Sequence, residues 1–140
     1  MVAIDSMPQV KTGDRVHSKG IETFSRVLGH YTAHADDPAG LALVTALASM
    51  TLLPAKPMAG FAAVFTHKGR LRESFDVDIT AFDCGKITDM ATFQQSLRAS
   101  KGIHYVLVNG EFVRKGGRLV QAALPGQLIK GSGVTTIGNR

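Results

Sequence analysis

Cys84 is the only cysteine, so no intrachain disulfide can form. That suits a reducing cytoplasm. No leader of basic and then apolar residues opens the chain, because Asp5 interrupts its first apolar run. The charge-free stretch from Leu41 to Met50 is ten residues long, about half of the twenty a membrane span requires. No GxxxxGK loop is present to cradle a phosphate. These absences exclude a disulfide-stapled domain, a single-span membrane protein and a P-loop enzyme.

Charge is plentiful but unorganised. Sixteen Lys and Arg stand against eleven Asp and Glu, a formal net charge of +5. The basic residues are scattered rather than gathered on one helix, and no aromatic residues interleave with them. A nucleic-acid partner would need a docking element that is missing here, so a solvated basic surface is the simpler reading. At 140 residues and 44% hydrophobic, the chain has the size and balance of one ordinary globular domain.

The hydrophobic pattern changes along the chain. Met1 to Asp5 reads as a short apolar strand ending in a carboxylate, and Ser6 to Gly20, with Pro8, Gly13 and Gly20, as a loop. Ile21, Phe24, Leu28 and Tyr31 recur at helical spacing and predict an amphipathic helix to about His34. Asp36-Asp37-Pro38 is a helix-start signature. The helix that should follow, "AGLALVTALASM", carries no charge and calls for burial on most sides. Thr51-Leu-Leu-Pro54 begins a further short helix. From Phe65 onward the chain reads as strand. Val77, Ile79 and Ala81 alternate with Asp78, Thr80 and Phe82, the pattern of a half-buried strand. Asn109-Gly110 predicts a type I′ hairpin turn, with Val106 and Val108 on one face and Tyr105 and Leu107 on the other. Gly116-Gly117 makes a second turn into Arg118–Val120, and Pro125-Gly126 closes the sheet region.

Little of this looks catalytic. His30 and His34 stand four apart, as two zinc ligands on a helix would, but Tyr31 occupies the place of the glutamate that the metalloprotease motif needs. His67 and His104 have no partner at ligand spacing. Cys84 has no local feature that would depress its pKa. Asp5 differs, since α/β barrels present catalytic residues at the carboxyl ends of strands. Spacing leaves two readings of Asp5 open, a barrel carboxylate or a frayed N-terminal aspartate.

The strings "VAIDSMP", "HSKGIETFSRVLGHY", "ASMTLLPA", "GRLRESFDVDITAFD", "ITDMATFQ" and "GIHYVLVNGEFVRKGGRLVQAALPGQLIKG" resemble, in this order, the end of D-aminoacylases. These are N-acyl-D-amino-acid deacylases of the amidohydrolase superfamily. The resemblance implies an α/β fold. Residues 1–66 would be the last strand, loop and helices of a (β/α) barrel. Residues 67–131 would be the C-terminal strands of the small β-sandwich domain, and residues 132–140 a flexible tail. It also implies a zinc-dependent hydrolase acting on the amide bond of N-acyl-D-amino acids. Asp5 would be the catalytic base beside the metal, with Ser6 and His17 in the substrate loop.

The departures are informative. The family's His-x-His pair is absent, Ser18 and Lys19 replace Pro and Arg after His17, and Ser74 replaces a common glycine. The expectation is therefore a cytoplasmic C-terminal fragment that holds no Zn2+ alone, because a catalytic zinc site takes about three protein ligands. Such a chain would expose an apolar patch and either meet its missing N-terminal portion or self-associate through open edges. Two alternatives stay open. One is a non-catalytic β-rich remnant acting as a partner-binding module. The other is the tail of another amidohydrolase branch of the cyclic-amidase type.

Overall fold

The computed structural model describes residues 1, 2, 4, 19–32 and 40–131. From Lys19 onward its elements run in the order expected from the hydrophobic pattern, helices and then an antiparallel sheet. Helix α1 spans Lys19–Arg26 and continues as a π-helical turn over Val27–Tyr31. Helices α2 (Leu43–Met50) and α3 (Leu52–Met58) follow, with Pro54 in the first turn of α3, where its missing N–H costs nothing. A 3₁₀ turn covers Ala63–His67. Strands β1 (Ile79–Phe82), β2 (Ile103–Val108), β3 (Glu111–Lys115) and β4 (Arg118–Leu119) form one sheet in sequence order.

The turns explain the sheet. Asn109 and Gly110 have φ of 48° and 80°, both left-handed as a type I′ turn requires, and Val108 pairs with Glu111 across them. Gly116 and Gly117 repeat the device before β4, with φ of 57° and 77°. On β1 the expected alternation holds only in part. Ala81 is exposed and Phe82 packs against the core, with a register shift against β2 between the two.

The helices depart further from expectation. The stripe Ile21, Phe24, Leu28 and Tyr31 is the buried face only in part. Of that stripe only Leu28 is buried, in line with the polar Glu22, Ser25 and Thr32, while Phe24 is 42% and Tyr31 56% exposed. The charge-free helix begins at Leu43, because Leu41 is bound to the preceding segment: its N–H donates to Tyr31 O at 2.7 Å, and it bridges Thr32 in parallel. The helix-start residues Asp36 to Pro38 lie outside the described residues. The chain after Phe65 is also less strand-like than expected, since residues 65–67 are 3₁₀ and residues 83–102 pair only through the isolated bridge Thr88–Lys101. Of the N-terminal strand, Met1, Val2 and Ile4 are described and none is in a ladder, although Val2 N–H donates to Ser49 O at 2.8 Å.

The core joins both layers. Leu28, Ala46 and Ile87 are buried together, with Leu47, Met50, Phe82 and Ile103 packed around them. Burying an aliphatic side chain of this size contributes roughly 2 kcal/mol, yet the most buried of the described apolar residues is only an alanine, Ala46. Two glycines hold the Ile87 backbone close. A Cβ at Gly29 would stand 2.2 Å from Ile87 O, and one at Gly102, where φ is +81°, 2.6 Å from Ile87 Cα. Among the described residues no helix is long and apolar enough to cross a membrane.

Candidate functional site

Asp5, Ser6 and His17, the residues expected to carry or frame the chemistry, lie outside the described residues, as does His34. What the fold shows is the frame next to them. Helix α1 follows the Asp5–Ser18 segment directly in sequence, and Arg26 in its last turn anchors it to the sheet side of the molecule. The Arg26 Nε and Nη2 both donate to Asp89 Oδ2, at 2.9 and 2.7 Å. That hydrogen bonding, reinforced by charge attraction, raises the Arg26 pKa above its ordinary value. Glu22 lies one turn earlier, buried, with Oε1 3.8 Å from Arg26 Nη2 and Oε2 without a hydrogen-bond partner.

A second polar cluster lies beneath the hairpin. Lys68 Nζ sits 2.9 Å from Asp76 Oδ2 and also bonds Asp78 Oδ2, while Asp78 Oδ1 accepts from Asn109 N–H at 2.9 Å. The Asn109 side-chain amide donates to Pro125 O at 2.6 Å. Burial pulls the Lys68 pKa down, but the hydrogen bonds to Asp78 and Asp76 together raise it. The bond from Lys68, helped by the Asn109 N–H, lowers the Asp78 pKa against the opposing effect of burial. These groups line a cavity of about 460 Å³ that the segment Gly126–Lys130 closes on one side. Sequence reasoning missed this cluster. "FDVD" reads as strand pattern, and no local signal ties it to a lysine ten residues earlier.

The larger cavity, about 900 Å³, opens between the helices and the sheet. Ile21, Phe24 and Leu28 of α1 line it, and Thr80, Val106 and Arg114, cross-strand partners in register, form part of its wall. Arg114 Nε is buried there without an acceptor. The cavity is a mostly apolar groove.

The remaining candidates are structural. His30 packs edge-on against Tyr31, and His67 lies against Phe75 with ring centroids 5.3 Å apart. His104 and Cys84 are exposed. Among the described residues no group of three or more His, Cys, Asp or Glu side chains could hold a metal ion. The described part of the chain therefore does not fit a catalytic metal, and no metal-dependent step is assigned to it.

Comparison with known proteins gives the frame an origin. No family model matches the chain. It is 39% identical over 89 residues to an N-acyl-D-aspartate deacylase of Alcaligenes xylosoxydans xylosoxydans, 64% of this chain and 17% of the relative. Over 110 residues it is 37% identical to the N-acyl-D-glutamate deacylase and 36% to the D-aminoacylase of the same organism. Each match covers 79% of this chain and 20% of the relative. A solved D-aminoacylase, described as defining a novel subset of amidohydrolases, superposes with a TM-score of 0.70 at 30% identity over 83% of this chain and 23% of its own. An N-acyl-D-glutamate deacylase from Bordetella bronchiseptica, solved with zinc and a phosphonate mimic of the tetrahedral intermediate, superposes with a TM-score of 0.61 at 32% identity. A further D-aminoacylase structure concerns a binuclear metal centre. The chain spans about a fifth of the length of the curated relatives it matches. By sequence and by fold it is a homologue of the D-aminoacylases and their N-acyl-D-aspartate and N-acyl-D-glutamate deacylase relatives, metal-dependent amidohydrolases.

Proposed function

We propose that this chain is the C-terminal part of a D-aminoacylase-type amidohydrolase that hydrolyses the amide bond of N-acyl-D-amino acids. In this reading residues 1–66 complete a (β/α) barrel and residues 67–131 return to a small β domain. The observation that carries the reading is the superposition on a D-aminoacylase at a TM-score of 0.70 and 30% identity over 83% of this chain. The order of elements supports it too, because helices α1 to α3 precede the sheet and their apolar faces stay open.

Within the reading, Asp5 acts as general base for the attacking water and returns the proton to the leaving amine. Ser6 and His17 frame the substrate. A metal of the kind held by the solved relatives would supply Lewis-acid chemistry beside Asp5. The described residues provide no set of ligands for it, so the 140-residue chain alone is expected to be inactive. Its catalytic partner would be the remainder of the deacylase polypeptide.

The test uses the purified chain with zinc and N-acetyl-D-aspartate, N-acetyl-D-glutamate and an N-acetyl-D-amino acid with an apolar side chain. Free acetate and bound zinc are measured in the same samples. No acetate and no stoichiometric zinc is the expected result. Zinc-dependent deacylation by the chain alone would overturn the claim of inactivity. If a reconstituted enzyme hydrolyses no N-acyl-D-amino acid but does open a cyclic amide, the cyclic-amidase alternative takes over.

A further inference from the structure

The residue that makes the first hairpin turn is also chemically labile. Asn109 adopts a φ of 48° and stands directly before Gly110. In an asparagine–glycine pair the side-chain amide is open to attack by the next backbone nitrogen, because glycine puts no Cβ beside that nitrogen. Here a Cβ at Gly110 would meet only Val77 Cβ, at 3.9 Å, and both turn residues are exposed to water. The reaction has room and solvent.

The fold opposes it through hydrogen bonds. Gly110 N–H, the attacking group, donates to Val77 O at 3.0 Å. Asn109 N–H donates to Asp78 Oδ1 at 2.9 Å. The leaving group, Asn109 Nδ2, donates to Pro125 O at 2.6 Å. These restraints are not equally firm. Val77 and Asp78 run directly into β1, whereas Pro125 belongs to residues 121–131, which join no ladder. Leu124 and Leu128 in that segment are 89% and 84% exposed. A segment with so few buried contacts opens locally at low cost. The bond that holds the leaving group is the weakest of the set.

We propose that Asn109 is a site of spontaneous deamidation gated by its bond to Pro125, and that the product releases the segment Gly126–Lys130 from the Lys68 cavity. When Pro125 lets go, Gly110 N passes its proton to water and bonds to Asn109 Cγ. The Cγ–Nδ2 bond breaks, and Nδ2 takes a proton from water and leaves as ammonia. Water then opens the succinimide, at Cγ to give aspartate or at the main-chain carbonyl to give isoaspartate. An aspartate here has no N–H for Pro125 O and sets oxygen against oxygen. It also adds negative charge beside Asp76 and Asp78, which already share the ammonium of Lys68. Isoaspartate inserts an extra main-chain carbon into the turn that sets the hairpin register. Either product loosens the segment that closes the cavity of about 460 Å³. The site stands on the turn and its partners, whether or not the chain belongs to a working deacylase.

Peptide mapping of the aged full chain by mass spectrometry tests the gate. The chain has one other asparagine, Asn139, followed by arginine, so the tryptic peptide 102–114 reports Asn109 alone. At mildly alkaline pH, aspartate and isoaspartate should accumulate in chain unfolded by guanidinium chloride, and about tenfold more slowly in folded chain. Pro125→Gly frees the segment without touching the turn, and should bring the folded rate most of the way to the unfolded one. No conversion of Asn109 in the unfolded chain overturns the proposal. So do equal rates in folded and unfolded chain, and so does a folded rate that Pro125→Gly leaves unchanged.

Asn109→Asp reads the consequence of the reaction. Amide relaxation by NMR should show larger motion in residues 126–130 than in the native chain, while β1 and β2 keep their signals. A segment as rigid as the native one overturns the release. The aged native chain supplies the same comparison without a substitution, because the converted fraction can be separated by its added negative charge.

Discussion

The sheet and the helical layer are closed to different degrees. Each strand of the sheet finds its partner next in sequence, and its two tight turns are made by residues suited to positive φ. Its order is local. In the helical layer Leu28 and Ala46 are buried in the core, while Ile21, Phe24 and Met58 border a groove. Their order depends on what lies across the gap. Among the described residues the layers meet at the core, where Ile87, Phe82 and Ile103 pack against Leu28 and Ala46, at the Arg26–Asp89 pair and at the Lys68 cluster. A chain can thus carry a hairpin of local order beside a helical layer that borders an open groove.

The sharpest way to break this comparison is to part the layers at Ile87. Gly102→Ala combines a left-handed φ of +81° with a Cβ 2.6 Å from the Ile87 backbone. Overpacking against backbone costs about 3 kcal/mol, and the chain should lose its cooperative urea transition. The hairpin amides should nevertheless keep slow exchange in NMR longer than those of α1 and α2. Simultaneous loss of both sets would show that the sheet is not the independent part.

Asn109→Ala attacks the sheet instead. It places a less tolerant residue at φ 48° and deletes the side-chain bond to Pro125 O. A loss of about 1–2 kcal/mol is expected in the urea midpoint, with α1 and α2 exchange rates little changed. If the helices loosen as much as the hairpin, the sheet's order is not local and the two layers unfold as one unit.

The Lys68 cluster gives a smaller, pH-dependent effect. Asp78 has its pKa lowered in the folded chain, so its contribution is present above the ordinary carboxylate value, about 3.9. It is lost as pH falls through the depressed folded value. The Asp78 side chain is 37% exposed, and solvent screening limits a pair of this kind to roughly 0.5–1 kcal/mol. Stability should therefore fall below about pH 4, and Asp78→Asn should flatten that part of the curve while lowering the plateau. An unchanged acid limb in the variant would assign the loss to other carboxylates.

Legibility in the sequence follows the same division. Asn109-Gly110 was readable because its conformational demand is confined to two residues. The spacing of Ile21, Phe24 and Leu28 correctly marked a helix but not its buried face, because spacing shows which side is apolar and not whether anything covers it. Leu41 reads as helix by composition, yet its bond to Tyr31 O, a tertiary contact, delays the start of α2 to Leu43. The Lys68–Asp76–Asp78 cluster is assembled by the fold and has no sequence signature. Asp5 rests on its place after an apolar run and on the family resemblance, Ser6 and His17 on the resemblance, and all three lie outside the described residues.

The smallest expected effect sits in the connection between the layers, at Ser74. Ser74 has a φ of 64°, the left-handed region in which a side chain carries a penalty of roughly 1–2 kcal/mol. Glycine relieves that penalty but adds freedom to the unfolded chain, which takes back about 0.5–1 kcal/mol. Ser74→Gly should therefore raise stability by about 0.5 kcal/mol, read as a small upward shift of the urea midpoint. Because Ser74 lies between the 3₁₀ turn and β1 and is exposed, the gain should appear equally in helix and hairpin probes. A loss on the same substitution would mean that the Ser74 side chain supports the bend more than its φ strains it.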